Sequence, residues 1–201
     1  VFAKSKKKGV LIVISSPSGA GKTTIAKKLT SKKSNIELSV SLTTRKPRTG
    51  EIDGIDYKFV SPNFFKQKIK QNAFLENARV FDNFYGTLKK QIESKLNKGK
   101  NILLDIDWQG ARQVKKRLPN DTVTIFILPP SLKELEKRLK KRERSIAFVK
   151  KRMSKAKQEI MHWSEYDYAV VNKDLNSCLN KIKNILQIDN CKPRRQVILK
   201  Y

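Results

Sequence analysis

The chain has 201 residues, a formal net charge of +27 and a hydrophobic content of 38%. These values suit one folded α/β domain and exclude an intrinsically disordered chain. The two cysteines and the single histidine are set far apart, which argues against a zinc site, so we expect a reduced, cytoplasmic protein. No apolar run approaches the length of a membrane span, and we expect no membrane partner.

The excess of lysine and arginine has two explanations. It could serve an anionic partner, such as nucleic acid or a phosphate-bearing substrate. It could instead reflect a compositional bias, since asparagine and isoleucine are abundant as well. The lysines are spread from Lys4 to Lys200, whereas a dedicated nucleic-acid surface requires a cluster. We therefore favour the compositional explanation and expect no specific nucleic-acid partner.

In chain order, short apolar segments alternate with longer segments of helical periodicity. The predicted strands cover residues 10–14, 101–106, 122–128 and 166–171. The predicted helices cover residues 22–32, 108–118, 131–141 and 174–188. Such alternation is typical of a parallel sheet with helices on both faces. The sequence therefore predicts an α/β fold whose parallel core comprises residues 9–35, 89–137 and 153–190.

Three further segments interrupt or follow this core. Residues 36–88 contain shorter strand-like stretches and Pro/Gly turns, which predict a small mixed-sheet subdomain, with Phe64 and Phe65 in its core. Residues 138–152 are almost wholly charged on a helical background and are interpreted as a helical lid; a solvated helix face is the alternative for most of their lysines. Residues 191–201 form a basic tail that we expect to fray.

A glycine-rich segment, Ser16-Pro17-Ser18-Gly19-Ala20-Gly21-Lys22-Thr23-Thr24, joins the first predicted strand to the first helix. A phosphate-binding loop requires this context, because glycines let backbone N–H groups approach phosphate oxygens and the helix N-terminus adds positive charge. Lys22 is placed to reach the β- and γ-phosphates of a nucleoside triphosphate, and the Thr23 hydroxyl to hold Mg²⁺. Ser16 replaces the first glycine of the general pattern, and a glycine-rich turn with a surface lysine is the alternative.

A second candidate anion site lies in residues 41–57. This segment holds two arginines, Arg45 and Arg48, together with a Pro/Gly turn and Tyr57. Arginines in a rigid turn suit bidentate binding of phosphate, and two suit a dianion better than one. Basic loops are common in this chain, so the pattern alone does not identify the ligand.

Several motifs, in the same order, resemble the guanylate kinase family over about residues 9–188. They are S-x-T-T-R-x-P-R-x-G-E-x-x-G-x-x-Y at 41–57, the P-S-G-A-G-K-T stretch, Phe74-Leu75-Glu76, Tyr85-Gly86-Thr87, L-D-I-D-W-Q-G at 104–110, Ile127-Leu128-Pro129-Pro130 and Tyr166-Asp167-Tyr168. The resemblance implies a P-loop NTPase-type core, a GMP-binding subdomain at 36–88 and a lid at 138–152. It also implies Mg²⁺-assisted phosphoryl transfer from ATP to GMP or dGMP. Separately, we expect a monomer or weak homo-oligomer.

The resemblance further implies which residues bind each nucleotide. The ATP site comprises Ser16, Pro17, Ser18, Gly19, Ala20, Gly21, Lys22, Thr23, Thr24 and Asn172, with a plain turn as the alternative for Asn172. The GMP phosphate is held by Arg45, Arg48, Tyr57 and Tyr85. The guanine is read by Ser41, Glu76, Thr87 and Asp107, and Glu51 and Asp105 line the same pocket.

Chemistry supports the carboxylates in these roles. Guanine offers N1–H and N2–H₂ as adjacent donors, which the acceptor-only carboxylate of Glu76 matches, whereas adenine offers no such pair on that edge. Without the surrounding motifs, Glu76 would instead be interpreted as a carboxylate on the protein surface. Asp105 and Asp107 follow the carboxyl end of a predicted strand, where ligands bind in open parallel sheets, and Asp105 could orient waters of Mg²⁺. General acid–base catalysis is less favoured, since phosphoryl transfer depends on positioning and charge neutralisation.

Three arginines, Arg138, Arg142 and Arg152, match family positions that close over the transferring phosphoryl group and offset its charge. With Lys22 they form the predicted catalytic set. The chain departs from the family here, because Glu143-Arg144-Ser145-Ile146 replaces a glycine and an acidic stretch, and the segment is one residue shorter.

Other interpretations stay open at this point. A kinase for another nucleoside monophosphate is opposed by Glu76 and Asp107. A peptide-binding module of the same fold is opposed by the intact phosphate loop. His162 and Trp108 are interpreted as packing residues, and neither cysteine is assigned a role.

Overall fold

The computed structural model describes residues 8–31, 34–80, 82–142 and 145–195, without the side chains of Arg142 and Arg194. The strands are β1 (Leu11–Ser15), β2 (Ile36–Leu38), β3 (Leu42–Thr43), β4 (Lys58–Phe59), β5 (Phe74–Val80), β6 (Asn83–Leu88), β7 (Asn101–Asp105), β8 (Thr122–Leu128) and β9 (Tyr168–Val171). The helices are α1 (Lys22–Leu29), α2 (Pro62–Lys70), α3 (Lys89–Asn97), α4 (Trp108–Arg117), α5 (Leu132–Arg142), α6 (Ile146–Ile160) and α7 (Leu175–Asn190).

The core is a parallel sheet with the strand order β2-β7-β1-β8-β9. The central strand β1 is wholly buried, and its side chains alternate between the two faces of the sheet. Leu11 and Val13 belong to the apolar cluster that includes residues of α3 and α4. Ile12 and Ile14 belong to the cluster that includes residues of α1 and α7. The predicted α/β core with helices on both faces is therefore confirmed.

Tertiary contacts shift the ends of several predicted elements. The first helix ends at Leu29 rather than at residue 32, and the Thr30 hydroxyl donates to the Ala26 carbonyl at 2.9 Å in its last turn. The last strand begins at Tyr168 rather than at residue 166. Just before it, the Asp167 carboxylate accepts from both the backbone N–H and the hydroxyl of Thr124 at 2.9 Å. At this point the Asp167 side chain, rather than its backbone, forms the hydrogen bonds to the neighbouring strand β8.

The inserted subdomain is a second sheet with the order β4-β3-β6-β5. β3 runs parallel to β4 and antiparallel to β6, so the sheet is mixed, as predicted. Its apolar core contains Leu42, Phe65 and Phe74, with the two phenylalanine rings stacked at 4.5 Å. The next residue along β5, Leu75, points into the core cluster beneath α4 instead. β5 therefore fixes the small sheet to the parallel sheet.

Three expectations for the segments outside the core need correction. Residues 36–38 were placed in the insertion, but they form β2, which pairs with β7 at the edge of the core sheet. Phe64 was expected in the core, but it is 40% exposed, since only Phe65 points inward from α2. The tail was expected to fray, but Arg195 is 7% exposed and its guanidinium bonds the buried Asp189 carboxylate at 2.9 Å. Residues 196–201 lie outside the described part of the chain.

The predicted lid, residues 138–152, covers the end of α5 and the start of α6. These two helices share an apolar cluster of Leu135, Leu139, Val149 and Ala156, so both continue beyond the predicted range. In the ranges that the structure describes, no helix is both long and apolar enough to cross a membrane.

The two adjacent phenylalanines of α2 give a matched test of this packing. We expect Phe65→Ala to lower the free energy of unfolding by about 3–5 kcal/mol, because it leaves a cavity among stacked rings. Phe64→Ala should cost less than about 1 kcal/mol, since its ring is partly exposed. Urea denaturation of both variants checks the difference, and equal losses would contradict the assigned core.

Candidate active site

A cleft of about 500 Å³ opens between the carboxyl ends of the core strands, the small sheet and the helices α5 and α6. Seventeen of the predicted site residues line this cleft: Ser16, Pro17, Ser18, Gly19, Gly21, Lys22, Thr23, Thr24, Ser41, Arg48, Tyr57, Glu76, Tyr85, Asp105, Asp107, Arg138 and Arg152. Ala20, Arg45, Glu51, Thr87 and Asn172 are not among the residues that line it. The Arg142 side chain lies outside the described atoms. The fold thus gathers residues from five separate chain segments at one place.

The glycine-rich loop between β1 and α1 has a backbone that few side chains could replace. Gly19 and Gly21 have φ angles of 90° and 99°, which lie in the left-handed region. A Cβ atom on Gly21 would lie 2.6 Å from Nδ2 of Asn172. That amide donates to the Ala20 carbonyl at 2.8 Å, and Asn172 is only 6% exposed. Asn172, expected at the ATP site, therefore supports the loop from behind.

Lys22 lies at the first position of α1 and forms an ion pair with Asp105 at the end of β7. Its ammonium also donates to the Ile106 carbonyl at 3.3 Å. Burial opposes the charge on Lys22, but the charge and hydrogen bond of Asp105 outweigh it and raise the lysine pKa. The lysine is therefore held as a cation, aimed into the cleft, by a carboxylate of the neighbouring strand.

Thr23 and Asp105 line the same cleft and supply a hydroxyl and a carboxylate oxygen. Mg²⁺ prefers oxygen ligands, binds through one or two protein groups and keeps several waters, so these two residues fit it. The described residues contain no group of three or more His, Cys, Asp or Glu side chains that could hold a metal ion. A metal here would therefore depend on the bound phosphates as much as on the protein.

The second anion site is organised by Glu51. Its carboxylate accepts from the Arg45 guanidinium and from the Arg48 backbone N–H, both at 2.8 Å. The hydrogen bond from Arg45 is the main cause of the lowered pKa of Glu51. Glu51, expected to line the pocket, thus bonds both arginine residues of the loop, and Arg48 lines the cleft. The Arg45 guanidinium lies over the Tyr57 ring, 5.4 Å from its centroid.

Glu76 is a buried carboxyl group at the floor of the cleft, with 2% of its surface exposed. Its Oε1 accepts from the Thr87 hydroxyl at 2.6 Å, and Thr87 lies 2.9 Å from the Ser41 hydroxyl. Burial raises the pKa of Glu76 to about 7, against the opposing hydrogen bond from Thr87. A Cβ atom on Gly110 would lie 2.6 Å from Oε2, so α4 approaches this carboxyl closely.

Asp107 connects this group to α4. It is the N-cap of the helix, and its Oδ1 accepts from the Gly110 backbone N–H at 3.0 Å. Its Oδ2 accepts from the Gln109 side chain at 3.0 Å. The residue lines the cleft beside Glu76, so one carboxylate both starts the helix and faces the ligand space.

The predicted lid arginines approach the cleft from two helices. Arg138 on α5 bonds Glu134 at 3.1 Å and the Asn172 carbonyl at 3.3 Å. Arg152 on α6 donates to the Ser18 hydroxyl of the phosphate loop at 2.7 Å. Arg142 ends α5, one turn beyond Arg138. Two of the three arginines are therefore already anchored beside the loop.

Sequence reasoning missed five residues that line the cleft: Ala78 and Val80 on β5, Ile106 directly after β7, and Lys155 and Glu159 on α6. The α6 residues follow Arg152 at intervals of three and four, which places them on the same helix face. In the sequence, this helical spacing from Arg152 was the signal that could have identified Lys155 and Glu159. His162 and Trp108, interpreted as packing residues, stack with ring centroids 3.7 Å apart.

The raised pKa of Glu76 predicts how stability depends on pH. The unfolded carboxyl loses its proton near pH 4.5, whereas the folded one keeps it until about pH 7. The free energy of unfolding of the wild type should therefore fall, relative to Glu76→Gln, as the pH rises through this window, by up to about 3 kcal/mol. Denaturation of both proteins without ligand, from pH 4.5 to pH 8, measures this difference. Parallel pH profiles would show that the folded carboxyl is not perturbed.

Comparison with known proteins shows to which family the chain belongs. The family model described as guanylate kinase matches residues 8–189. The guanylate kinase of Zymomonas mobilis is 49% identical over 192 residues, covering 95% of this chain and 89% of that protein. The guanylate kinase of Hydrogenovibrio crunogenus is 53% identical over 178 residues, covering 88% and 86%. A crystal structure of guanylate kinase from Anaplasma phagocytophilum superposes with a TM-score of 0.81 at 40% identity, covering 96% and 92%. This chain belongs to the guanylate kinase family.

Proposed function

We propose that this protein transfers the γ-phosphoryl group of Mg²⁺-bound ATP to the 5′-phosphate of GMP or dGMP, giving ADP and a guanine nucleoside diphosphate. Family membership supports ATP-dependent phosphorylation of GMP. The observation that carries the proposal is one cleft with two anion sites: the phosphate loop on one wall, and Arg48, Tyr57 and Tyr85 on the other. The buried Glu76 lies between those walls.

In this mechanism an oxygen of the GMP phosphate attacks the γ-phosphorus in line, so no side chain acts as a covalent nucleophile. Lys22 and the arginines Arg138, Arg142 and Arg152 offset charge on the transferring group, which is worth more in a cleft closed to water. Thr23 and Asp105 would hold Mg²⁺, Asp105 through water, and the metal would supply further neutralisation of the phosphate charge. The glycine loop would hold the donor phosphates through its backbone N–H groups and the N-terminus of α1.

Guanine selection follows from the chain of hydroxyls around Glu76. Thr87 donates to Oε1 and is itself paired with Ser41. Oε2 and the remaining acceptor sites then face the N1–H and N2–H₂ donors of guanine. An adenine in this place would leave the buried carboxyl without donors, and sites of that kind discriminate by a factor of about 10⁴–10⁵. Asp107 lines the cleft next to it as a second acceptor.

Turnover with Mg²⁺·ATP and a panel of GMP, dGMP, AMP, UMP and dTMP tests the reaction and the acceptor. We expect diphosphate product from GMP and dGMP alone. Lys22→Ala should reduce kcat by at least about 100-fold, because one preorganised charge at the transferred group is removed. A preference for another monophosphate would defeat the guanine assignment, and no product from any of them would indicate a binding module.

Glu76→Gln separates recognition of the base from binding of phosphate. We expect the KM for GMP to rise by about 10- to 100-fold, since an acceptor is replaced by a donor facing guanine N–H groups. The KM for ATP should change by less than a factor of about 2, because on this proposal Glu76 contacts the base of GMP and not ATP. Steady-state kinetics with each substrate varied gives both values; equal changes in the two would mean that Glu76 does not read the base.

A further inference from the structure

The outer edge of β5, the strand that carries Glu76, is bonded by side chains of α4. β5 is the last strand in the order of the small sheet, so β6 pairs with only one of its edges. Buried backbone groups on the other edge need other partners. Gln113 supplies them for Asn77: its Nε2 donates to the Asn77 carbonyl at 2.7 Å, and its Oε1 accepts from the Asn77 N–H at 3.1 Å. One side chain thus pairs with Asn77 as a neighbouring strand would.

A second side chain of α4 bonds the residues that precede Glu76. The Arg117 guanidinium donates to the Phe74 carbonyl at 2.9 Å and also to the Leu75 carbonyl. The register of β5 against β6 shifts between Phe74 and Glu76, so Arg117 spans a β-bulge. A bulge leaves one residue unpaired and changes the direction of the side chains beside it. Glu76 therefore lies between two points at which α4 fixes the backbone of β5.

The same face of α4 carries a second carboxylate of the cleft. Asp107 is the N-cap of the helix, and Gly110, Gln113 and Arg117 follow it at intervals of three or four residues. This spacing places all four on one face of the helix. A Cβ atom on Gly110 would lie 2.6 Å from Oε2 of Glu76, so the helix approaches this carboxyl closely. The bonds from α4 to β5 therefore set the separation between Glu76 and Asp107.

We propose that Gln113 and Arg117 are positioning residues: they hold Glu76 at the separation from the N-cap carboxylate that guanine requires. The inference rests on the proposed function, because it concerns recognition of the acceptor base. Guanine presents N1–H and N2–H₂ as adjacent donors, and two carboxylates accept from both only at a suitable spacing. The base of IMP has the same N1–H but lacks the amino group. Loss of the α4–β5 bonds should therefore weaken the binding of GMP more than that of IMP.

Gln113→Met tests this positioning, because methionine has a similar length but lacks the amide that bonds both backbone groups of Asn77. We measure binding by calorimetry at pH 8, where Glu76 is mostly ionised. The Kd for GMP should rise about tenfold, the size of one hydrogen bond to a charged group, and the Kd for IMP by less than a factor of about 2. The Kd for Mg²⁺·ATP should be unchanged. The control is Gln91→Met, the same exchange at an exposed position of α3, which should leave all three values as in the wild type.

Arg117→Met is the second variant, and it carries the test if Gln113→Met does not fold. It should lower the preference for GMP over IMP in the same direction, because the carbonyls before Glu76 lose their donor. Arg117→Lys should keep the wild-type preference, since an ammonium group can still donate to two carbonyls. Lys116→Met, at the exposed neighbouring position of α4, should have no effect on either Kd.

An unchanged ratio of the Kd values for GMP and IMP in either folded methionine variant would overturn the proposal. This holds even if that variant unfolds at a lower urea concentration, since α4 would then support only the fold. An equal change in the Gln91 or Lys116 control would overturn it as well. Turnover of the wild type with Mg²⁺·ATP and GMP is measured separately. If the binding changes are as expected but the wild type forms no GDP, the proposed function alone is wrong.

Discussion

The cleft depends on cationic side chains that are held in place by the protein's own oxygens before any phosphate arrives. Lys22 is paired with Asp105, Arg45 with Glu51 and Arg138 with Glu134. Each pair fixes a flexible side chain and so lowers the conformational entropy lost on binding. On the proposed function, a phosphate that binds at Lys22 or Arg138 would share these cations with their carboxylates. The arrangement therefore favours precise geometry over maximal affinity, which suits an enzyme that must release its products.

Glu76, in contrast to these cations, has no oppositely charged partner among the described ion pairs. It is buried beside hydroxyls and glycine. Burial therefore makes its charged form unfavourable, which is why its pKa rises. On the proposed function, the donors of guanine would relieve this cost, whereas a base without them would not. A carboxyl that is poorly solvated without its ligand is thus well suited to discriminate between bases.

The site is built from parts whose apolar cores are separate from that of the parallel sheet, although Leu75 of β5 joins the small sheet to it. The small sheet has its own apolar core around Phe65, and α5 and α6 share another around Leu139. Separate apolar cores allow rigid-body movement of an element without disruption of its interior. The phosphate loop itself is fixed more firmly, because Gly19 packs against Leu139 and Gly21 against Asn172. Movement of α5 and α6 would therefore be felt directly at the loop.

The sequence by itself determined the features that depend on neighbours in the chain. The buried strand, the glycine-rich loop and the following helix form one local unit, so the phosphate loop could be placed to the residue. The alternation of Leu11, Ile12 and Val13 across the sheet, and the mixed insertion with its turns, follow from local periodicity in the same way. Family motifs supplied the candidate residues of the second site, although a motif does not say which of its members faces the cleft.

Only the tertiary structure decided which partners those residues meet. β2 has three residues, and its place in the core sheet depends on pairing with β7, more than sixty residues later. Asn172 was expected at the ATP site, and a hydrogen bond from its amide to the Ala20 carbonyl, 152 residues away in the chain, sets its place beside the phosphate loop. Glu159 gave no signal beyond its helical spacing from Arg152. Local sequence fixes the direction of a side chain relative to its own element, whereas its contacts depend on how distant elements pack.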